Sequence, residues 1–154
     1  MTKPRIFLED IGVGVTHESP PHSITEEEVI EFARRYDPQP IHLDPIAAKD
    51  SVFGGLVCAG FQTAALVWAL AQKTRMFDDC AIAGMGVDEM RWLAPVRPGD
   101  VVRCRFTVLD WRPSGSRPDV GIVPMRCELV NQDNRPVITL VMTQLMRRRP
   151  AVNL

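Results

Sequence analysis

From Phe61 to Ala71 the chain runs Phe-Gln-Thr-Ala-Ala-Leu-Val-Trp-Ala-Leu-Ala, with no charge, glycine or proline to interrupt it. A helix that is apolar on every side has no face to give to water, so this one is expected to be buried nearly all round. It is too short to cross a membrane, and the polar Gln72-Lys73-Thr74-Arg75 follows it directly. The rest of the chain therefore has to wrap it. A length of 154 residues supports one ordinary core and not two generous ones, so residues 1–154 are expected to form a single domain.

The wrapping layer lies in the second half. Strand character fills 82–93, 100–112, 119–131 and 136–148. The segments between them, Pro95 to Asp100, Pro113 to Pro118 and Asp133-Asn134, have turn compositions. In Val101 to Val108 the residues alternate, with Val102, Cys104, Phe106 and Val108 on one face and Arg103 and Arg105 on the other. One face is thus covered and the other more polar. Long antiparallel strands with one apolar helix to cover predict an α+β fold, a curved antiparallel sheet wrapped around a long central helix. No internal repeat or low-complexity segment competes with that reading.

The first third reads as strand, helix and irregular segment. Ile11 to Thr16 has enough β-branched residues for a short strand, and Ser19-Pro20-Pro21 stops regular pairing. Thr25 is placed to cap a helix, with Glu28 completing a capping box and Ile24 and Val29 forming a hydrophobic staple. Val29, Ile30, Ala33 and Tyr36 supply the apolar stripe of that helix, which stops before Asp37-Pro38. Asp44 then caps a second, short helix with Pro45 at its first position, running to about Asp50.

Charge and cysteine usage exclude several functions. Eighteen basic against 19 acidic residues give a net charge of −1, which leaves no bulk charge for holding nucleic acid. Met1 to Phe7 leads into acidic residues rather than an apolar core and cleavage site, so no signal peptide and a cytoplasmic location are expected. Cys58, Cys80, Cys104 and Cys127 are spaced by more than 20 residues each and read as buried free thiols. His17 and His22 lie among loop-forming residues, and with His42 they lack metal-ligand spacing, so no metal is assigned.

Between the two helices, residues 36–45 read Tyr-Asp-Pro-Gln-Pro-Ile-His-Leu-Asp-Pro. Asp37 and His42 fall on a segment that Pro38 and Pro40 keep from being a regular helix, a rigid bend from which both side chains can converge. A carboxylate acts as a base or orients one, and imidazole holds or releases a proton near neutral pH, so the pair could grip one water molecule. Taken singly, each residue reads as a helix-ending turn and a surface histidine. The apolar helix changes the weighing. Gly60 at its start offers unpaired N–H groups, a partial positive charge and room for a substrate to approach the backbone.

The run Phe32 to Pro45, followed by Phe53-Gly54-Gly55-Leu56-Val57-Cys58-Ala59-Gly60, resembles the hydratase motif of the MaoC-like dehydratases and (R)-specific enoyl-CoA hydratases. The resemblance continues through Arg91 to Asp100 and the Asn131-Gln132 turn, so it covers almost the whole chain. It implies a hot-dog fold. It also implies that Asp37 and His42 bind the reacting water, that the Gly60 N–H stabilises the thioester oxygen as it becomes enolate-like, and that coenzyme A enters only as part of the substrate. The implied reaction is hydration of a trans-2-enoyl thioester of coenzyme A or acyl carrier protein to the (R)-3-hydroxyacyl thioester, or its reverse. Edge-to-edge pairing into a homodimer or a dimer of dimers is implied as well.

Some positions depart from the family pattern. Gln39 stands where Asn is usual before the second proline, Pro40; Ala59 stands where His often precedes the helix glycine; and Trp68 replaces a helix serine of some members. Gln39, Pro40, Ala59 and Trp68 are taken as substrate-binding positions, Trp68 narrowing the acyl channel. Arg147-Arg148-Arg149 reads as a solvated basic run and Arg91-Trp92 as a strand-packing feature, while the loop with Arg112, Ser114, Ser116 and Arg117 could touch the nucleotide or not. Cys58 has no activating base nearby and reads as packing. The competing functions are a hot-dog acyl-CoA thioesterase, in which a carboxylate directs water to the carbonyl carbon, and a non-catalytic acyl-thioester-binding subunit.

Overall fold

The computed structural model describes residues 5–151. Met1 to Pro4, on which part of the reading against a signal peptide rests, lie outside the described residues. The sheet is built from Thr16–Glu18 (β1), His22–Ser23 (β2), Ala81–Trp92 (β3), Val101–Val108 (β4), Arg112–Pro113 (β5), Val120–Val130 (β6) and Pro136–Arg147 (β7). Its order is β1-β4-β6-β7-β3, with β2 also on β4 and β5 also on β6. Every pair of these strands is antiparallel.

Alternation places the core. Val102, Cys104, Phe106 and Val108 of β4 are all buried, while Val101, Arg103, Arg105 and Thr107 are half-buried on the opposite face, where Arg105 donates to Glu18 of β1 at 2.6 Å. Met125, Cys127 and Leu129 of β6 and Ile138, Leu140 and Met142 of β7 continue the apolar face. The helix Gly60–Lys73, labelled here the central helix, buries Val67, Leu70 and Ala71 in the same core. Phe77 fills the space beyond it, with ring centroids 5.1 Å from Trp68 and 4.9 Å from Phe106.

The burial of that helix is one-sided, which corrects the expectation of a helix covered all round. Phe61, Ala65 and Ala69, one stripe at i, i+4 and i+8, are exposed. The stripe is left open except that the Phe61 ring meets Trp92 of β3 edge-on, centroids 5.6 Å apart. Strand β3 is also open. It pairs with β7 along one edge only and is exposed over most of its length, Ile82, Met85 and Val87 included.

Other departures have local causes. The strand expected over 11–16 is replaced by a helical turn, Leu8–Ile11, and then β1, because Gly12 (φ 82°) and Gly14 (φ 77°) adopt left-handed backbone that breaks an extended run. His17 and His22, read as loop residues, are in β1 and β2. The strand expected over 100–112 is two strands: after Val108 the opposing residue is Pro124, which has no N–H to return a ladder bond, and pairing resumes only at β5.

Candidate active site

Five helices occur among the described residues. We number them α1 (Leu8–Ile11), α2 (Glu26–Tyr36), α3 (Pro40–Leu43), α4 (Pro45–Ala48) and α5, the central helix Gly60–Lys73. Helix α2 starts where expected, with Thr25 Oγ1 accepting the Glu28 N–H at 3.1 Å. Only half of the capping box forms, since the Glu28 carboxylate turns instead to His22 Nε2, 3.0 and 3.1 Å from its two oxygens. The buried stripe ends early: Val29 and Ala33 are fully covered, but Tyr36 is 70% exposed. Asp37 closes the helix, its N–H donating to Ala33 O at 2.9 Å.

The segment after Asp37 was expected to be non-helical, and Pro40–Leu43 is instead one helical turn. Pro40 occupies the first position, where a missing N–H forfeits no helix bond, so this proline starts a turn rather than preventing one. Helix α4 begins as expected, Asp44 Oδ1 accepting the Ile46 and Ala47 N–H groups at 2.9 and 3.1 Å, but ends at Ala48 rather than near Asp50.

His42 projects inward from α3 and is 5% exposed. Its Nδ1 lies 2.7 Å from the Val57 carbonyl oxygen. A carbonyl only accepts, so Nδ1 carries hydrogen and Nε2 is the atom left for chemistry. Nε2 faces Asp37 Oδ2 at 3.5 Å, too long for a good hydrogen bond and short enough for both atoms to hold a third oxygen between them. The other carboxylate oxygen, Oδ1, accepts from Gln39 Nε2 at 2.7 Å. Gln39 thus holds Asp37 with Oδ2 turned toward the histidine.

Asp37, Gln39, His42 and Gly60 line one cavity of about 500 Å³, whose walls include Phe53, Phe61, Thr63 and Trp92. Gly60 opens α5 behind the N-cap residue Ala59. The Gln62 and Thr63 N–H groups both donate to Ala59 O, at 3.0 and 3.2 Å, and among the described residues the Gly60 and Phe61 N–H groups have no backbone acceptor. A helix start of this kind favours negative charge. The structure therefore brings Asp37, His42, Gln39 and Gly60 together from three separate elements.

The other sequence-selected positions lie elsewhere. Pro40 and Ala59 do not line the cavity; the first starts α3 and the second is fully buried as the α5 cap. Trp68 borders a different hollow with Gln72, Gly84 and Gln144, about 12 Å along the helix from Gly60 at 1.5 Å per residue. Arg112, Ser114, Ser116 and Arg117 are not among the cavity residues either. The basic run is not simply solvated: Arg148 lies 3.5 Å from Glu9 and over the Trp111 ring, and Arg149 pairs with Asp10 and sits over Phe7. Cys58 lines the cavity, and burial pushes its thiol up to about 12, so it is protonated at neutral pH. No group of three or more His, Cys, Asp or Glu able to hold a metal occurs among the described residues.

Trp92, expected to be a strand-packing residue, lies in the site, as do Phe53, Phe61 and Thr63. It ends β3, lines the cavity and donates from Nε1 to the Gly60 carbonyl at 2.9 Å. No local pattern links it to Gly60, 32 residues earlier; its place follows from the strand order alone.

A sheet curved around one long helix, with the helix start opening on an Asp–His pair, makes this a hot-dog protein of the MaoC-like kind. Residues 11–124 match the MaoC like domain family, and the chain belongs to that family. The crystal structure of the MaoC-like dehydratase from Rhodospirillum rubrum is 37% identical, with a TM-score of 0.85 over 96% of this chain and 100% of that one. The uncharacterised protein YdeM of Bacillus subtilis is 27% identical over 141 residues, 92% of this chain and 99% of that protein. The 3-hydroxybutyryl-CoA dehydratase of Methylorubrum extorquens is 32% identical over 113 residues, covering 73% of this chain and 69% of that protein.

Proposed function

We propose that this protein adds water to a trans-2-enoyl thioester of coenzyme A or acyl carrier protein to give the (R)-3-hydroxyacyl thioester, and catalyses the reverse dehydration. The observation that carries the reading is one cavity holding both Asp37 and His42 and the open first turn of α5. Similarity to a 3-hydroxybutyryl-CoA dehydratase supports it. The R product is inferred from the family resemblance.

The three requirements of the reaction map onto these groups. A water held between Asp37 Oδ2 and His42 Nε2 attacks the β-carbon, giving up a proton to the pair. As the C–O bond forms, the π electrons move toward the thioester carbonyl, whose oxygen gains negative charge. The Gly60 N–H and the partial positive charge of the α5 N-terminus stabilise that oxygen, a role for which loss of one donor in other enzymes costs roughly 3 to 4 kcal/mol. A proton delivered to the α-carbon from the same pair completes the addition. No step needs a metal or a separate cofactor. The open β3 edge and the exposed α5 stripe support assembly as a homodimer or dimer of dimers, and a cytoplasmic location belongs to the same proposal. No helix among the described residues is long and apolar enough to cross a membrane.

Asp37→Asn and His42→Ala test the assignment directly. Each is expected to lower hydration of a panel of enoyl thioesters by about 100-fold or more, the scale of positioned acid–base catalysis, with an unchanged circular dichroism spectrum. Variants as active as the wild type would remove the pair from the reaction.

A further inference from the structure

The indole of Trp92 does two things at the start of α5. Its Nε1–H donates to Gly60 O at 2.9 Å, and its ring occupies the space where a side chain at position 60 would begin. A Cβ on Gly60 would lie 2.7 Å from Cε2 and 2.9 Å from Nε1, closer than such atoms can approach. Thr63 Oγ1 holds the same carbonyl at 2.6 Å, and Phe61 meets the indole edge-on, centroids 5.6 Å apart.

The carbonyl of Gly60 and the N–H of Phe61 belong to one planar peptide unit. Holding that oxygen from β3, beside the Thr63 hydroxyl, therefore restrains the direction of that N–H and the ψ angle of Gly60. The Gly60 and Phe61 N–H groups, the first two of α5, have no backbone acceptor among the described residues. A hydrogen bond from the edge strand β3 thus helps set the pose of the donors that the hydratase reading gives to the thioester oxygen.

We propose that Trp92 is the positioning residue of this turn, and that the indole by itself is enough to require glycine at position 60. The catalytic consequence rests on the hydratase reading; the structural claim does not. Trp92→Phe keeps an aromatic ring and removes the donor. It is expected to lower kcat by about five- to tenfold, the worth of one hydrogen bond, with KM changed by less than about twofold. Gly60→Ala is expected to be strongly impaired beside Trp92, whereas Gly60→Ala with Trp92→Ala is expected to be no worse than Trp92→Ala alone, a non-additive cycle.

Amide NMR supplies a readout independent of activity. The Gly60 and Phe61 resonances are expected to move in Trp92→Phe while those of Thr16 and Thr107, on β1 and β4 at the opposite side of the sheet, keep theirs. If the wild type hydrates no enoyl thioester, the functional reading fails and the NMR comparison still decides the role of Trp92. Unmoved Gly60 and Phe61 resonances would overturn the proposal. So would wild-type kcat in Trp92→Phe, or Gly60→Ala being equally damaging with and without the indole.

Discussion

Asp37 is held at three points. Its N–H bonds Ala33 O, its carbonyl accepts from the Gln39 N–H at 2.8 Å, and its Oδ1 accepts from the Gln39 side chain. Of these, the last sets where Oδ2 points. Gln39→Ala should therefore leave the fold intact and lower kcat by about five- to tenfold, the equivalent of one hydrogen bond, in steady-state hydration assays. A Gln39→Ala enzyme with wild-type kcat would show that the backbone alone orients the carboxylate. At this scale the site is only partly legible in sequence. Asp37, His42 and Gly60 stand in one stretch whose order is recognisable, and the structure brings them to one cavity. Trp92 joins them only through the pairing of β3 with β7, and Trp68, on the same helix as Gly60, borders a different hollow.

At the scale of elements, helix α2 delivers Asp37, and its start depends on one hydroxyl. Thr25→Ala removes the acceptor for the Glu28 N–H and should lower stability to urea by about 1 kcal/mol, within the usual range for a lost N-cap. No change in the unfolding midpoint would mean that the His22–Glu28 contact holds this helix end instead. The long strands β4, β6 and β7 were legible because alternation persists over eight to twelve residues, whereas β3 is exposed almost throughout and does not alternate. Short elements were not. Gly12 and Gly14 overrule the β-branched residues around them, and Pro40 starts a turn of helix where composition read it as a breaker.

As a whole molecule, the chain leaves a twelve-residue strand edge and a stripe of its central helix uncovered. A free edge of that length is a template for pairing. Light scattering at micromolar concentration should give the mass of a dimer or a multiple of it, and Met85→Lys with Val87→Lys on β3 should shift it toward monomer. A monomeric wild type would contradict the assembly. The general form, one sheet around one helix, follows from a single charge-free run and strand-like segments of which three alternate, whereas the strand order depends on long-range pairings that no local pattern records. Hydration of an enoyl thioester is the central claim, and crotonyl-CoA tests it most directly when enoyl absorbance and free thiol are followed together. Loss of the enoyl absorbance without thiol release is the expected result. Loss of that absorbance matched by an equal release of thiol would make the protein a thioesterase and contradict it, since hydrolysis also breaks the conjugation of the double bond with the thioester.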